Sequence, residues 1–139
     1  MTLRAARRQR RHCLVASLAW LASARATATT PLQDAMRRAE ALRDEATRAG
    51  DQPFGAVVLQ GDTIVGAAPS RVLTRNDPTA HAEREALRDA ARRLRTGDLS
   101  GCVLVSTSRP CPACETAAAA AGIARMVHGA ALTDAGVPR

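Results

Sequence analysis

Asn76-Asp77-Pro78-Thr79-Ala80-His81-Ala82-Glu83-Arg84-Glu85-Ala86-Leu87 carries the strongest local signal in the chain. Its first three residues are a loop signal, and Thr79 leads into a helix predicted from about Ala80 to Arg95, closed by Gly97. Ala86, Leu87, Ala90, Ala91 and Leu94 form the apolar stripe of that helix. Four residues back from Leu87 the stripe reaches Glu83, so the helix aims a carboxylate at the core. An acid there is costly unless it has a partner or a task, which singles out Glu83, while Glu85 and Arg88 read as solvated face. His81 stands in the first turn, where its side chain can lean back past the helix N-terminus.

Upstream, Thr30-Pro31 opens a helix in which Leu32, Met36, Ala39 and Leu42 recur at helical spacing, to about Ala49 with Gly50 as the stop. Phe54 to Leu59 and Thr63 to Gly66 read as two short strands joined by Gln60-Gly61-Asp62, and residues 67 to 79 as a loop. Downstream, Cys102 to Ser106 reads as a buried strand, Pro110 to Ala121 as a helix closed by Gly122, and Ile123 to His128 as a last strand. The order α-β-β-α-β-α-β predicts one α/β domain with helices packed on a mixed sheet. The alanine run 117 to 121 reads as a helix filled with a strong helix former.

Cys111 and Cys114 open the third helix, stiffened by Pro110 and Pro112. With His81 they offer one imidazole nitrogen and two thiolates, a set suited to tetrahedral Zn²⁺ with a fourth position left for water. Such a metal generates hydroxide near neutral pH, and Glu83 is placed to carry its proton to a ring nitrogen and a leaving amine. A lone His or a lone Cys-x-x-Cys has blander readings, as a core residue, half of a structural zinc site or a redox pair. The joint pattern His-Ala-Glu opening a helix, then Pro-Cys-x-x-Cys after a strand, is the combination found in zinc deaminases. Cys102 reads as a small buried apolar residue, His128 has no assigned role, and Arg109 pairs with Glu115 or meets an anionic group, the pairing being preferred.

Pro53-Phe54-Gly55-Ala56-Val57-Val58, Asn76 to Glu83, and Pro110-Cys111-Pro112-Ala113-Cys114 together resemble the cytidine and deoxycytidylate deaminase superfamily, nearest its guanine deaminase and tRNA adenosine deaminase branch. The resemblance implies a three-layer α/β/α fold, zinc on His81, Cys111 and Cys114, Glu83 as proton shuttle, and a homodimer. It also implies that Phe54 and Asn76 border the base pocket and that the amide near Ala82 helps to hold substrate. The chain departs from the branch at Ser70, where an asparagine commonly reads the base, and at Arg109, where a glutamate commonly precedes Pro-Cys. After the second cysteine it is alanine-rich where bulkier residues are usual, and it lacks the longer C-terminal part that often completes the pocket.

The 139 residues carry a formal charge of +7 from 20 arginines and no lysine. Six of those arginines precede residue 34, a stretch without acids, which leaves 14 against 13 acids in the body. A nearly neutral body argues against a broad phosphate-binding face, hence against nucleic acid as partner. The N-terminus reads as an export signal over residues 1–28, with a basic start, a short apolar run from Cys13 to Ala22, and Arg10-Arg11 in loosely twin-arginine style. That reading implies a periplasmic or secreted enzyme. The alternatives are an organellar presequence, or a spurious extension of a cytoplasmic protein that truly starts at Met36. The expected function of residues 32–139 is zinc-dependent hydrolytic deamination of a free base or nucleoside, guanine- or cytosine-type, with no membrane partner. Alternatives are tRNA adenosine deamination, a catalytically idle zinc-binding domain, or a thiol-disulfide protein using Cys111 and Cys114.

Overall fold

The computed structural model describes residues 27–139. The export-signal expectation therefore falls almost wholly outside the described residues. The elements are α1 (Pro31–Arg48), β1 (Gly55–Gln60), β2 (Thr63–Pro69), α2 (Ala82–Leu94), β3 (Val103–Ser106), α3 (Pro112–Ala120), β4 (Arg125–His128) and β5 (Thr133–Gly136). The sheet order is β2-β1-β3-β4-β5, with only the β3–β4 pair parallel. Among the described residues no helix is long and apolar enough to cross a membrane.

Alternation along the central strands separates two cores. Val57, Leu59 and Val105 face α1, meeting Ala35, Met36, Ala39 and Leu42. Ala56, Val58 and Leu104 face the other way, toward Ala82, Ala86, Leu87 and Ala90 of α2 and Ala118 of α3. A strand covered on both sides must be apolar at successive positions, and five of the six β1 residues are buried. The result is the three-layer α/β/α arrangement, with its mixed sheet in the middle.

Both flanking helices approach the sheet through glycine. A Cβ on Gly55 would lie 2.1 Å from the Ala39 carbonyl oxygen, and one on Gly66 would lie 2.5 Å from that of Ala86 and 2.7 Å from Ala90 Cβ. Gly66 therefore does not end β2. The strand runs on to Pro69, three residues past the expected limit, because a glycine here admits a helix instead of breaking a strand.

Three further expectations change. α2 ends on Arg95 in the left-handed conformation, φ 56°, so Gly97 is not its stop. Glu85 is not on a solvated face: it is 4% exposed, because the loop before α2 folds back and Arg75 and Arg88 cover it with ion pairs. A fifth strand, Thr133–Gly136, pairs with β4. Its polar and small residues give no alternation, and the turn into it needs Leu132 at φ 53°.

Gly66→Ala is expected to destabilise the protein by about 1–3 kcal/mol through overpacking against backbone, read as a lowered melting temperature. Gly97→Ala, with open space around its Cβ, is the control and is expected to be neutral or slightly stabilising.

Candidate metal and proton-transfer site

The site lies where α2 and α3 begin, beside the last residue of β3. His81 is the N-cap of α2 rather than part of its first turn, and its side chain makes no capping bond. That leaves the imidazole available. Cys111 is the N-cap of α3, its sulfur accepting from the Cys114 amide at 3.4 Å, and Pro112 holds the first helical position. Both caps bring positive helix ends toward the same point, which favours thiolates and carboxylates there.

Cys111 Sγ lies 3.6 Å and Cys114 Sγ 3.5 Å from Nδ1 of His81, and the three ligand atoms lie within 4.8 Å of one another. Tetrahedral zinc with Zn–S near 2.3 Å and Zn–N near 2.0–2.1 Å requires N···S separations of about 3.5–3.6 Å. The donor set fits the ion in both chemistry and spacing. Burial pushes the Cys114 thiol far above its usual range, and the Glu83 carboxylate and Cys111 push it further. A cation is what such a sulfur needs to ionise, so metal binding there releases a proton.

Glu83 is 5% exposed. The Ser106 hydroxyl donates to its Oε1 at 3.0 Å, while Oε2 stands 3.8 Å from Cys114 Sγ. One oxygen is thus anchored to β3, and the other faces the ligand triad. A pocket of about 190 Å³ opens over this group, lined by Gln52, Phe54, His81, Glu83, Ser108, Arg109 and Cys111.

Of the residues expected at the pocket, Phe54 both lines it and packs on the core below. Ala82 is the first residue of α2 and fully buried, so its amide is among those a helix start leaves without an intrahelical partner. Asn76 is exposed on the loop at φ 49° and does not line this pocket. Ser70 is turned away as well: it is 2% exposed and gives its hydroxyl to Asp51 at 2.8 Å. Arg109 makes no ion pair with Glu115 or with any other described acid.

Sequence reading missed Ser106, Gln52, Ser108 and Asp51. Ser106, a polar residue ending the apolar run Val103–Val105, was the one with a signal. Asp51 accepts from the Gln52 amide, the Ser70 hydroxyl, the Leu73 and Thr74 amides and the Thr74 hydroxyl, at 2.8–3.1 Å. It ties the pocket wall at Gln52 to the loop that leads into His81. Burial alone raises its pKa, but the Thr74, Ser70 and Gln52 bonds outweigh burial and hold the carboxyl well below the usual range.

The zinc-binding region of the cytidine and deoxycytidylate deaminases matches residues 29–130. A tRNA(Ile)-lysidine synthase of Deinococcus deserti is 43% identical over 121 residues, covering 84% of this chain and 23% of that protein. A tRNA-specific adenosine deaminase of Aquifex aeolicus is 41% identical over 93 residues, 65% of this chain and 61% of that protein. The X-ray structure of guanine deaminase from Bacillus subtilis superposes with a TM-score of 0.67 at 36% identity, covering 70% of this chain and 63% of that one. The chain thus spans less than a quarter of the first relative and under two thirds of the other two.

Metal analysis is expected to find about one zinc per chain, lost in Cys114→Ala together with stability, since metal and folding energies are coupled. Full zinc in that variant would exclude the ligand set. For Asp51, a folded-state pKa below the unfolded value near 3.9 means that its stabilisation is complete above about pH 4 and fades as pH falls further. Asp51→Asn is expected to cost about 1–3 kcal/mol at pH 7, and denaturation from pH 7 to pH 3 should show the gap to wild type narrowing at the acid end.

Proposed function

The chain belongs to the cytidine and deoxycytidylate deaminase zinc-binding family, and from that premise we propose that it is a hydrolytic deaminase of a free nucleobase or nucleoside, guanine- or cytosine-type, releasing ammonia. The observation that carries this reading is the half-anchored Glu83. Ser106 fixes one carboxylate oxygen and the other is left beside the nitrogen-sulfur triad, at the floor of a pocket too small for more than a ring-sized group.

His81, Cys111 and Cys114 would hold a zinc ion, which when bound would supply the Lewis acidity that makes a water nucleophilic near neutral pH. The residues of this chain then do the rest. Glu83 takes the proton from that water and returns it to the ring nitrogen next to the carbon under attack. It then relays the proton of the hydroxyl added to that carbon to the amine, so that the C–N bond breaks, ammonia departs and the hydroxyl oxygen stays as a ring carbonyl. Ser106 keeps the carboxylate in one rotamer through this traffic, a preorganisation that a lone surface acid lacks. Phe54 offers a ring face to the substrate, beside the polar side chains of Gln52, Ser108 and Arg109.

A second reading, adenosine in tRNA, draws support from the tRNA-directed names of two relatives. Charge weighs against it. Of the 14 arginines in residues 34–139, seven are held by carboxylates: Arg37, Arg43, Arg75, Arg88, Arg92, Arg93 and Arg125. The other seven have no carboxylate partner, but 14 arginines against 13 acids in these residues leave little net positive charge for a polyanion.

Glu83→Ala is expected to retain zinc and lose turnover by on the order of 10²–10⁴ or more. Loss of the metal in that variant would overturn the division between ligands and proton carrier. Ammonia release is expected from a free base or nucleoside, in a panel that also contains a tRNA anticodon stem-loop. Efficient conversion of the stem-loop alone would replace the small-molecule reading by the second one.

A further inference from the structure

Arg109 is the one arginine that lines the 190 Å³ pocket. It also borders a groove of about 470 Å³ that runs out past Pro112, Glu115 and Thr116. No described carboxylate pairs with it, and of the seven arginines in residues 34–139 without such a partner it is the one at this pocket. It is exposed, directly before the buried Pro110 that leads into α3. A guanidinium offers a planar fork of donors that matches carboxylate and phosphate oxygens and stays charged at any working pH.

The rest of the pocket makes this cation consequential. When zinc is bound its two positive charges offset the two thiolates, which leaves the Glu83 carboxylate as the net negative charge at the floor, and an anionic substrate meets that repulsion unless a positive group answers it at the rim. A neutral base needs no such group. We propose that Arg109 is a specificity-determining residue that receives an anionic group, phosphate or carboxylate, carried beside the reacting ring, so that bases and nucleosides bearing such a group are turned over in preference to their neutral counterparts. This rests on the deaminase reading above. The pocket lies below the roughly 300–1,000 Å³ of sites that enclose a whole small-molecule ligand, whereas the groove beyond Arg109 lies within that range. The ring occupies the pocket, and the anion sits at Arg109 where pocket and groove meet.

The test compares kcat/KM for matched pairs: cytidine with its 5′-monophosphate, guanosine with its 5′-monophosphate, and cytosine with a carboxylate-bearing cytosine. A second arm measures equilibrium binding of the same compounds to the zinc-loaded Glu83→Ala protein. The expected result is a preference for the anionic member of a pair on the order of 10- to 100-fold, as for a charge-assisted hydrogen-bond pair. It should shrink with added salt, fall toward unity in Arg109→Gln, and survive in part in Arg109→Lys. The phosphate pairs and the carboxylate pair tell the two sources of the anion apart.

Equal handling of neutral and anionic members, or a preference that persists in Arg109→Gln, would overturn the proposal while leaving a deaminase in place. No ammonia from any compound, with Arg109-dependent binding of the anions intact, would sink the deaminase reading and keep the anion site. Arg109-dependent binding of an anticodon stem-loop tighter than of any mononucleotide would overturn the assignment to small anions.

Discussion

A carboxylate removed from water has to be given hydrogen-bond partners, and how that is done for Glu83 fixes the geometry of everything near it. The bond from the Ser106 hydroxyl ties the first turn of α2 to the final residue of β3. It can form only because α2 lies close against the sheet, where Gly66 takes the place that any side chain would block. Ser106 is in turn paired in register with Ala56 of β1 and His128 of β4, so the acid is referenced to the middle of the sheet. A shift of α2 by one turn would carry Glu83 out of reach and expose its charge to an apolar core.

Three buried acids lie within a short span of the fold, and their partners distinguish their work. Asp51 is saturated by five donors from the loop and the pocket wall. Glu85 is neutralised by Arg75 and Arg88. Glu83 has the Ser106 hydroxyl on one oxygen at 3.0 Å and only the Cys114 thiol, at 3.8 Å, on the other, which faces the triad. A carboxylate with filled lone pairs braces structure, whereas one with an uncommitted oxygen beside metal ligands can exchange protons. Asp51 still matters to the chemistry at one remove, because the segment it holds leads directly into His81.

The metal ligands are delivered by the same device used twice. Each helix begins at a residue in extended conformation, His81 for α2 and Cys111 for α3, and an N-cap side chain projects beyond the helix instead of along it. Two helix starts on one side of a sheet can therefore aim their caps at one point. The parallel β3–α3–β4 unit and the antiparallel β1–β3 pair place those starts side by side. The positive ends of both helices also lower the cost of gathering two sulfurs and a carboxylate.

Local chemistry was enough to read most of the elements. Thr30-Pro31 with Gln33 forms the capping box that opens α1, and Gly50 and Gly122 follow the helix ends where they were expected. The helical period was enough to turn Glu83 inward, and two short motifs were enough to name the metal ligands. What the chain pattern left open depended on partners far away in sequence. Glu85 looked solvated because nothing local reveals that Arg75 folds over it; Ser70 stands where the branch commonly carries a base-reading asparagine, and nothing local reveals its bond to Asp51 across a hairpin. β5 is polar and short, and only pairing with β4 makes it a strand. Arg109 and Glu115 stand a few residues apart, yet the turn into α3 leaves Arg109 at the rim of the pocket without that acid. Helical period, caps and ligand spacing are properties of neighbours in the chain, so the sequence by itself determined them. Which buried charge meets which partner is a property of packing, and only the tertiary structure decided it.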